Sequence, residues 1–309
     1  LEKFPMFAEA AYSMGLVKNR EKILNEAVQY FKKALEINPY HEKARKALDN
    51  VTKKSFNDGN RAYKRGDLDG AIEAYYKVLE FDENFYQAHY QIGVIKAKMG
   101  DRNGAIVHYQ QSLDINPKFY KGWYAMGLSK KANSDNEGAL AAFKEAIDVH
   151  PAYDKAFGAM GEIYLSEKKY DQAIEVLNTA VQVNSKYSKG YSTLGVIYSE
   201  MEEWANAVNN LVLATTHNKK DAMAWYRLAV AYNQLNECDR AEEAARNSTD
   251  RKPSFGGGWI ELGVATWCGG KGNKIASVNA LEKARKDRTW RKIAEYEMDR
   301  IMNPQKYQN

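Results

Sequence analysis

The sequence predicts an all-α protein built as a stack of helical hairpins, and three observations carry that prediction. Gly59, Gly93, Gly127, Gly161, Gly195 and Gly263 keep a thirty-four-residue frame, with Ala229 on the rung that lacks glycine. Twelve residues behind the rungs from Gly59 to Ala229 stands an alanine: Ala71, Ala105, Ala139, Ala173, Ala207 and Ala241. Four further on comes a bulky residue (Tyr75, Tyr109, Phe143, Leu177, Leu211), which shrinks to Ala245 in the seventh repeat. A fixed period of this length marks stacked supersecondary units. Antiparallel helices approach closely only where Gly or Ala removes the side chain, and the bulky residue is expected to fill the hole between neighbouring repeats.

The first hairpin spans 8–41, where Gly15, Ala27, Phe31, Ala34 and Pro39 repeat the order of small, small, bulky, small and proline. Gly15 and Gly59 are ten residues further apart than the frame requires. The extra segment, 42–51, contains no helix breaker and is read as prolonging the next helix from Glu42 to about Arg65; the other reading breaks the chain near Asn50. Repeats then follow at 52–85, 86–119, 120–153, 154–187, 188–221 and 222–255, with polar turns such as Arg65-Gly66-Asp67 and Met99-Gly100-Asp101. The seventh repeat, without its bulky residue, is expected to pack thinly. The eighth, 256–288, opens on Gly256-Gly257-Gly258, which weakens its helix start, and its turn from Cys268 to Asn273 is about two residues longer than the others. A last helix, 289–302, reads as the cap a repeat stack needs over its final apolar edge, and the polar tail 303–309 is expected to fray.

At these positions the chain resembles the tetratricopeptide repeat (TPR) family over almost its whole length. The resemblance implies a right-handed superhelical solenoid of about eight TPR hairpins with a C-terminal capping helix, as a single domain over 1–309. It also implies a concave groove, lined by the first helix of each hairpin, that holds a peptide.

Composition narrows the function classes. The formal net charge is +5, and residues 252–309 carry 11 basic against 6 acidic side chains, which accounts for the whole excess. The five histidines fall at unrelated places in the frame with no metal-ligand spacing. The glycine loop around Lys271 fails as a phosphate loop, because Ala265 and Gly272 stand where Gly and Ser/Thr are required. No catalytic set can be assembled, so no enzyme activity, cofactor or metal is expected. Cys238 and Cys268 are too few for a disulfide framework and are read as buried free thiols. No apolar run is long enough to span a membrane; a cytoplasmic location is slightly favoured, with an upstream targeting segment left open.

The inward face implied by the resemblance gives the candidate groove. Three residues before the ladder glycine stand Phe56, Tyr90, Tyr124 and Tyr226; one after it stand Val94, Leu128 and Val230; six before it stand Lys53, Lys121, Lys155 and Lys189. Tyrosine gives contact area and a hydroxyl, and lysine attracts carboxylate or phosphate. Some TPR domains hold a C-terminal carboxylate with five side chains. Here Asn60 and Lys121 match that pattern, whereas Phe56, Gln91 and Ala125 replace three of the five, so that clamp is not expected. The asparagine ladder of another TPR class is absent, its rungs being Asn57, Gln91, Ala125, Ala159, Thr193 and Arg227. A second candidate is a basic patch of Lys283, Arg285, Lys286, Arg288, Arg291 and Lys292. The reading is a non-catalytic scaffold or adaptor that holds a peptide or helix of another protein, with acidic segments the candidate ligands. One alternative is a structural assembler that self-associates through its convex face or ends. Another is docking of the basic patch to a membrane surface or nucleic acid, the latter disfavoured by the balanced charge of residues 86–251.

Overall fold

The computed structural model describes residues 5–268 and 272–307. Among the described residues the chain forms seventeen α-helices and no strand, which is the all-α class the sequence predicts. It divides into two compact units, residues 1–150 and 151–309. The first unit stacks four hairpins: α1 (Pro5–Arg20) with α2 (Leu24–Ile37), α3 (Glu42–Arg65) with α4 (Leu68–Phe81), α5 (Tyr86–Lys98) with α6 (Arg102–Ile115), and α7 (Tyr120–Ala132) with α8 (Asn136–Val149). The second stacks α9 (Asp154–Ser166) with α10 (Tyr170–Val183), α11 (Ser188–Glu200) with α12 (Trp204–His217), α13 (Ala222–Gln234) with α14 (Cys238–Arg251), and α15 (Gly256–Trp267) with α16 (Lys274–Ala284). It ends on α17 (Arg291–Met302) and a 3₁₀ turn, Pro304–Lys306.

Local chemistry sets the helix ends. Asp67, Asp101 and Asp135 cap α4, α6 and α8 by accepting from the backbone N–H of Gly70, Gly104 and Gly138 at 2.9, 2.8 and 2.9 Å. One residue at each hairpin turn takes the left-handed conformation: Gly66 and Gly100 at φ 84° and 89°, Lys22, Ser134, Lys168, Glu202 and Asn236 at φ 56–63°, and Cys268 at φ 38°. Glycine meets that requirement at no steric cost in two repeats, and the others hold a side chain there. The glycines are thus one solution to a constraint imposed by the turn. α3 runs unbroken for 24 residues, its N-terminus capped by His41 Nδ1, which accepts from Ala44 N–H at 3.2 Å.

The ladder works by close approach, but within each hairpin. A Cβ placed on Gly59, Gly127 or Gly195 would lie 2.6, 2.5 or 2.5 Å from Tyr75, Phe143 or Leu211 of the partner helix. The bulky residue therefore fills the space vacated by its own hairpin's glycine, not the gap between neighbouring repeats, because sixteen residues of chain fold the two positions onto each other. The seventh repeat is not thin. Ala229 and Ala245 are both fully buried and sit in one cluster with Leu211, Leu228, Tyr232 and Leu262; small facing small closes the same space as none facing large.

Gly256, Gly257 and Gly258 are all buried. A Cβ on Gly256 would lie 2.8 Å from the Cβ of both Asp287 and Trp290, so these glycines admit the cap rather than merely weaken a helix. The tail is held, not frayed, as far as Tyr307. Its hydroxyl donates to Asp299 Oδ2 at 2.6 Å, and Asn303 Nδ2 donates to Asp299 Oδ1 at 2.6 Å. Cys238 and Cys268 are not free thiols: they form a disulfide. The first residue of α14 faces the C-cap of α15 across an antiparallel pair, which brings their Cα atoms to 5.7 Å, inside the bridging range. The middle of the long turn, including Lys271, lies outside the described residues.

Candidate functional site

In the first unit, Tyr90 and Val94 on α5 and Tyr124 and Leu128 on α7 come together around a recess of about 360 Å³, with Tyr109 and Arg102 also in its wall. Leu128 is 41% exposed, a large apolar side chain left open on α7. Lys53, Phe56, Asn60 and Lys121 lie outside this recess. Lys53 and Lys121 are exposed, with Lys121 Nζ 5.8 Å from the Tyr120 ring. Asn60 Oδ1 accepts from the Tyr75 hydroxyl at 2.7 Å and so spends its carbonyl inside the hairpin.

The aromatic residues have a second duty that the sequence reading did not separate from ligand contact. Phe56 packs on Tyr75 and Phe85 at 5.4 and 5.1 Å, and Tyr90 on Tyr109 and Phe119 at 5.8 and 4.9 Å. Tyr124 packs on Phe143 at 5.6 Å, and Tyr226 on Phe255 and Trp290 at 5.1 and 5.9 Å. Phe56, Tyr90 and Tyr226 each join their own hairpin to the residue that precedes the next first helix, whereas Tyr124 packs within its hairpin. Burial pushes the Tyr90 hydroxyl above its ordinary value, and burial with the nearby Glu261 carboxyl raises Tyr226 to about 12. The signal that would have found this stack is Phe85, Phe119 and Phe255, which keep the same frame twenty-nine residues after Phe56, Tyr90 and Tyr226.

In the second unit, Lys189 on α11 lies 2.5 Å from Glu162 on α9. Both line a recess of about 470 Å³ with Thr193, Val196, Asp221 and Arg227. Arg227 Nη1 donates to Ser192 Oγ at 3.1 Å. Tyr226 and Val230 share an adjoining recess of about 240 Å³ with Val196, Glu200 and Arg227. Lys155 is exposed and lines neither. Arg227 and Glu261 are site residues that sequence reasoning missed, because their rung was scanned only for asparagine.

The basic patch is exposed throughout. Lys283 Nζ stands 4.1 Å from the centre of the Trp259 ring, and together with Lys286 and Asp287 these residues line a recess of about 400 Å³. Arg285 pairs with Glu282 at 3.1 Å, and Arg291 Nε donates to the Arg285 carbonyl at 3.2 Å. No ion pair involves Lys283, Lys286, Arg288 or Lys292 among the described residues.

The histidines are less scattered than the frame implies. His89 and His108 meet across α5 and α6 with their Nδ1 atoms 3.3 Å apart, and His108 Nε2 lies 3.3 Å from the Tyr76 hydroxyl. Burial lowers both, His108 to about 4 with help from His89 and Lys96, so this is a neutral packed pair at ordinary pH. No group of three or more His, Cys, Asp or Glu that could hold a metal occurs among the described residues. No helix among them is long and apolar enough to cross a membrane.

A repeated helical hairpin, closed by a glycine–bulky pair in most repeats and by Ala229 with Ala245 in the seventh, defines an all-α helical repeat protein. The chain belongs to the tetratricopeptide repeat family. A profile described as a TPR repeat matches residues 59–100, one described as a tetratricopeptide repeat matches 8–41 and 86–119, and the tetratricopeptide repeat protein 21 C-terminal ARM domain matches 129–253. Among curated proteins it is similar to DnaJ homolog subfamily C member 7 of Mus musculus and of Homo sapiens, 40% identical over 79 residues in each case. That match covers 25% of this chain and only 16% of those relatives. Two solved structures share the fold. One is pilF of Pseudomonas aeruginosa (TM-score 0.60, 18% identity, 70% of this chain and 96% of that one). The other is the C-terminal part of a TPR repeat-containing protein of Cytophaga hutchinsonii (TM-score 0.62, 13% identity, 78% and 98%). The repeat profiles support a protein-interaction scaffold in general terms, on a fold that is typically non-catalytic.

Proposed function

We propose that the protein is an adaptor whose first helices hold a peptide or helix of another protein. The observation that carries this reading is the recess of the first unit. Val94 and Leu128 offer apolar surface between tyrosine rings already fixed by Tyr109, Phe119 and Phe143, so a ligand side chain meets a preformed wall and orders little of the protein. Lys121 stands exposed on the same helix as Leu128 and favours acidic segments. In the second unit, Arg227 takes over the cationic role that Lys189 shares with Glu162. The Cys238–Cys268 bridge supports an oxidising compartment over the cytoplasmic location that the sequence slightly favours.

The test is affinity capture from the native source with the parent chain, Leu128→Asp, Lys121→Glu and a control, Lys33→Glu, on an exposed face of α2 away from the recess. Both substituted positions, Leu128 in the recess and Lys121 outside it on the same helix, are exposed, so folding is retained and circular dichroism checks it. A partner held in the recess is lost about tenfold or more with Leu128→Asp, as expected when a buried contact is exchanged for an unpaired charge, and is retained by the control. Equal capture by all four chains rejects the reading.

A further inference from the structure

Beyond these recesses, the second unit carries a cavity of about 650 Å³ formed between α13, α15 and α17. Ile260, Val264 and Ile293 give it apolar walls, Trp267 and Tyr307 give it aromatic ones, and the carboxyls of Glu261 and Glu297 reach its lining. We propose that this cavity binds a cationic side chain, an arginine or lysine of the segment held by the second unit, between Glu261 and Glu297. The assignment rests on the peptide-holding reading above and names what one end of that segment carries.

Geometry supports it in three ways. Glu261 sits two residues before its ladder glycine, on the same rung as Arg227 one repeat earlier, so the site continues the inward row. Asn233 Nδ2 donates to Glu261 Oε2 at 2.8 Å and to the Glu261 carbonyl at 3.2 Å, which holds the carboxyl in one orientation before a ligand arrives. Glu297 Oε2 is shut from solvent and pairs with Arg300 Nη2 at 2.8 Å without meeting hydrogen-bond geometry, and Arg300 itself lines the cavity. A carboxylate has acceptor capacity beyond one ion pair, and a guanidinium or ammonium entering the cavity takes up what Arg300 leaves open. The Trp267 and Tyr307 rings supply the π faces that a desolvated cation prefers.

The charge balance adds a pH signature. Burial, with Glu297 beside it and the Asn233 hydrogen bond opposing, pushes the Glu261 carboxyl up to about 7. The groups that face it are Tyr226 on α13 and Glu297 on α17, with Arg300 paired to Glu297; no group of α14 or α16 enters the balance. Glu261 is therefore largely neutral in the empty cavity below pH 7 and ionised above it. A cation binds the ionised form, so affinity rises with pH by about tenfold between pH 6 and pH 8.

The test uses the full chain with its disulfide intact, two probes, and ¹³C-methyl NMR of Ile260 and Ile293. The probes are Nα-acetyl-arginine amide and its neutral isostere Nα-acetyl-citrulline amide. The arginine probe is expected to shift both methyl resonances and to bind about tenfold or more tightly than citrulline. Its pH dependence is expected to vanish in Glu261→Gln. Equal binding of the two probes, or no methyl shift with either, overturns the assignment, and neither outcome needs a variant to fold. Because the probes report only this cavity, their failure leaves the Leu128→Asp capture result intact, and failure of that capture leaves the probe result readable.

Discussion

Gly127→Ala is expected to destabilise the first unit by about 1–3 kcal/mol, and Phe143→Ala by about 3–5 kcal/mol, while the double variant loses clearly less than the sum. The new Cβ at position 127 would lie 2.5 Å from the Phe143 ring, closer than two carbons tolerate, so the ring must leave its place and α7 and α8 must part. Phe143 is fully buried, and its truncation alone leaves a hole opposite a residue with no side chain to fill it. Put together, the added methyl enters that hole. The seventh repeat already has this arrangement, with Ala229 facing Ala245 and both fully buried. Urea unfolding of the four chains supplies the cycle, and strict additivity would show that the glycine rung and the bulky residue do not share one space.

This coupling also explains what was legible in the sequence. A missing Cβ is required once per hairpin, at a fixed place, so Gly59 to Gly263 betray the fold without any knowledge of contacts. What the ladder could not disclose is direction. Whether Tyr75 fills its own hairpin or the next one depends on how α3 and α4 are rotated, and the one-dimensional spacing of sixteen residues is the same for both. The candidate site suffered from a similar ambiguity. A tyrosine three residues before the glycine satisfies both a groove and an internal stack, and only the ring distances at Tyr90 and Tyr226 show that the stack claims one face of each. Arg227 and Glu261 escaped notice because a rung read for amides yields nothing when it carries opposite charges in successive repeats. Glu297 belongs to α17, outside the frame altogether, so no period could have brought it beside Glu261.

Reduction of the Cys238–Cys268 bridge is expected to cost the second unit about 3–4 kcal/mol, the loop-closure value for a bridge of this span, whose two cysteines are 30 residues apart. Of the two helices it joins, α14 is held by small buried side chains. α14 buries only Ala241, Ala244, Ala245, Ser248 and Thr249, with no large apolar side chain among them. α15 begins on three glycines, each worth about 1 kcal/mol less than alanine in a helix. The bridge fixes the first residue of α14 against the C-cap of α15. Amide hydrogen exchange with and without dithiothreitol locates the effect: protection should fall most in α14 and at the C-terminal end of α15, and far less in α10, whose Leu177 and Ala173 are fully buried. The pair Cys238→Ala with Cys268→Ala should match the reduced chain under oxidising conditions, since packing at these half-buried positions hardly changes. If reductant left both the exchange pattern and the urea midpoint of the second unit unmoved, these two helices would owe their place to the small-residue packing of Ala229, Ala245 and Ala265 alone.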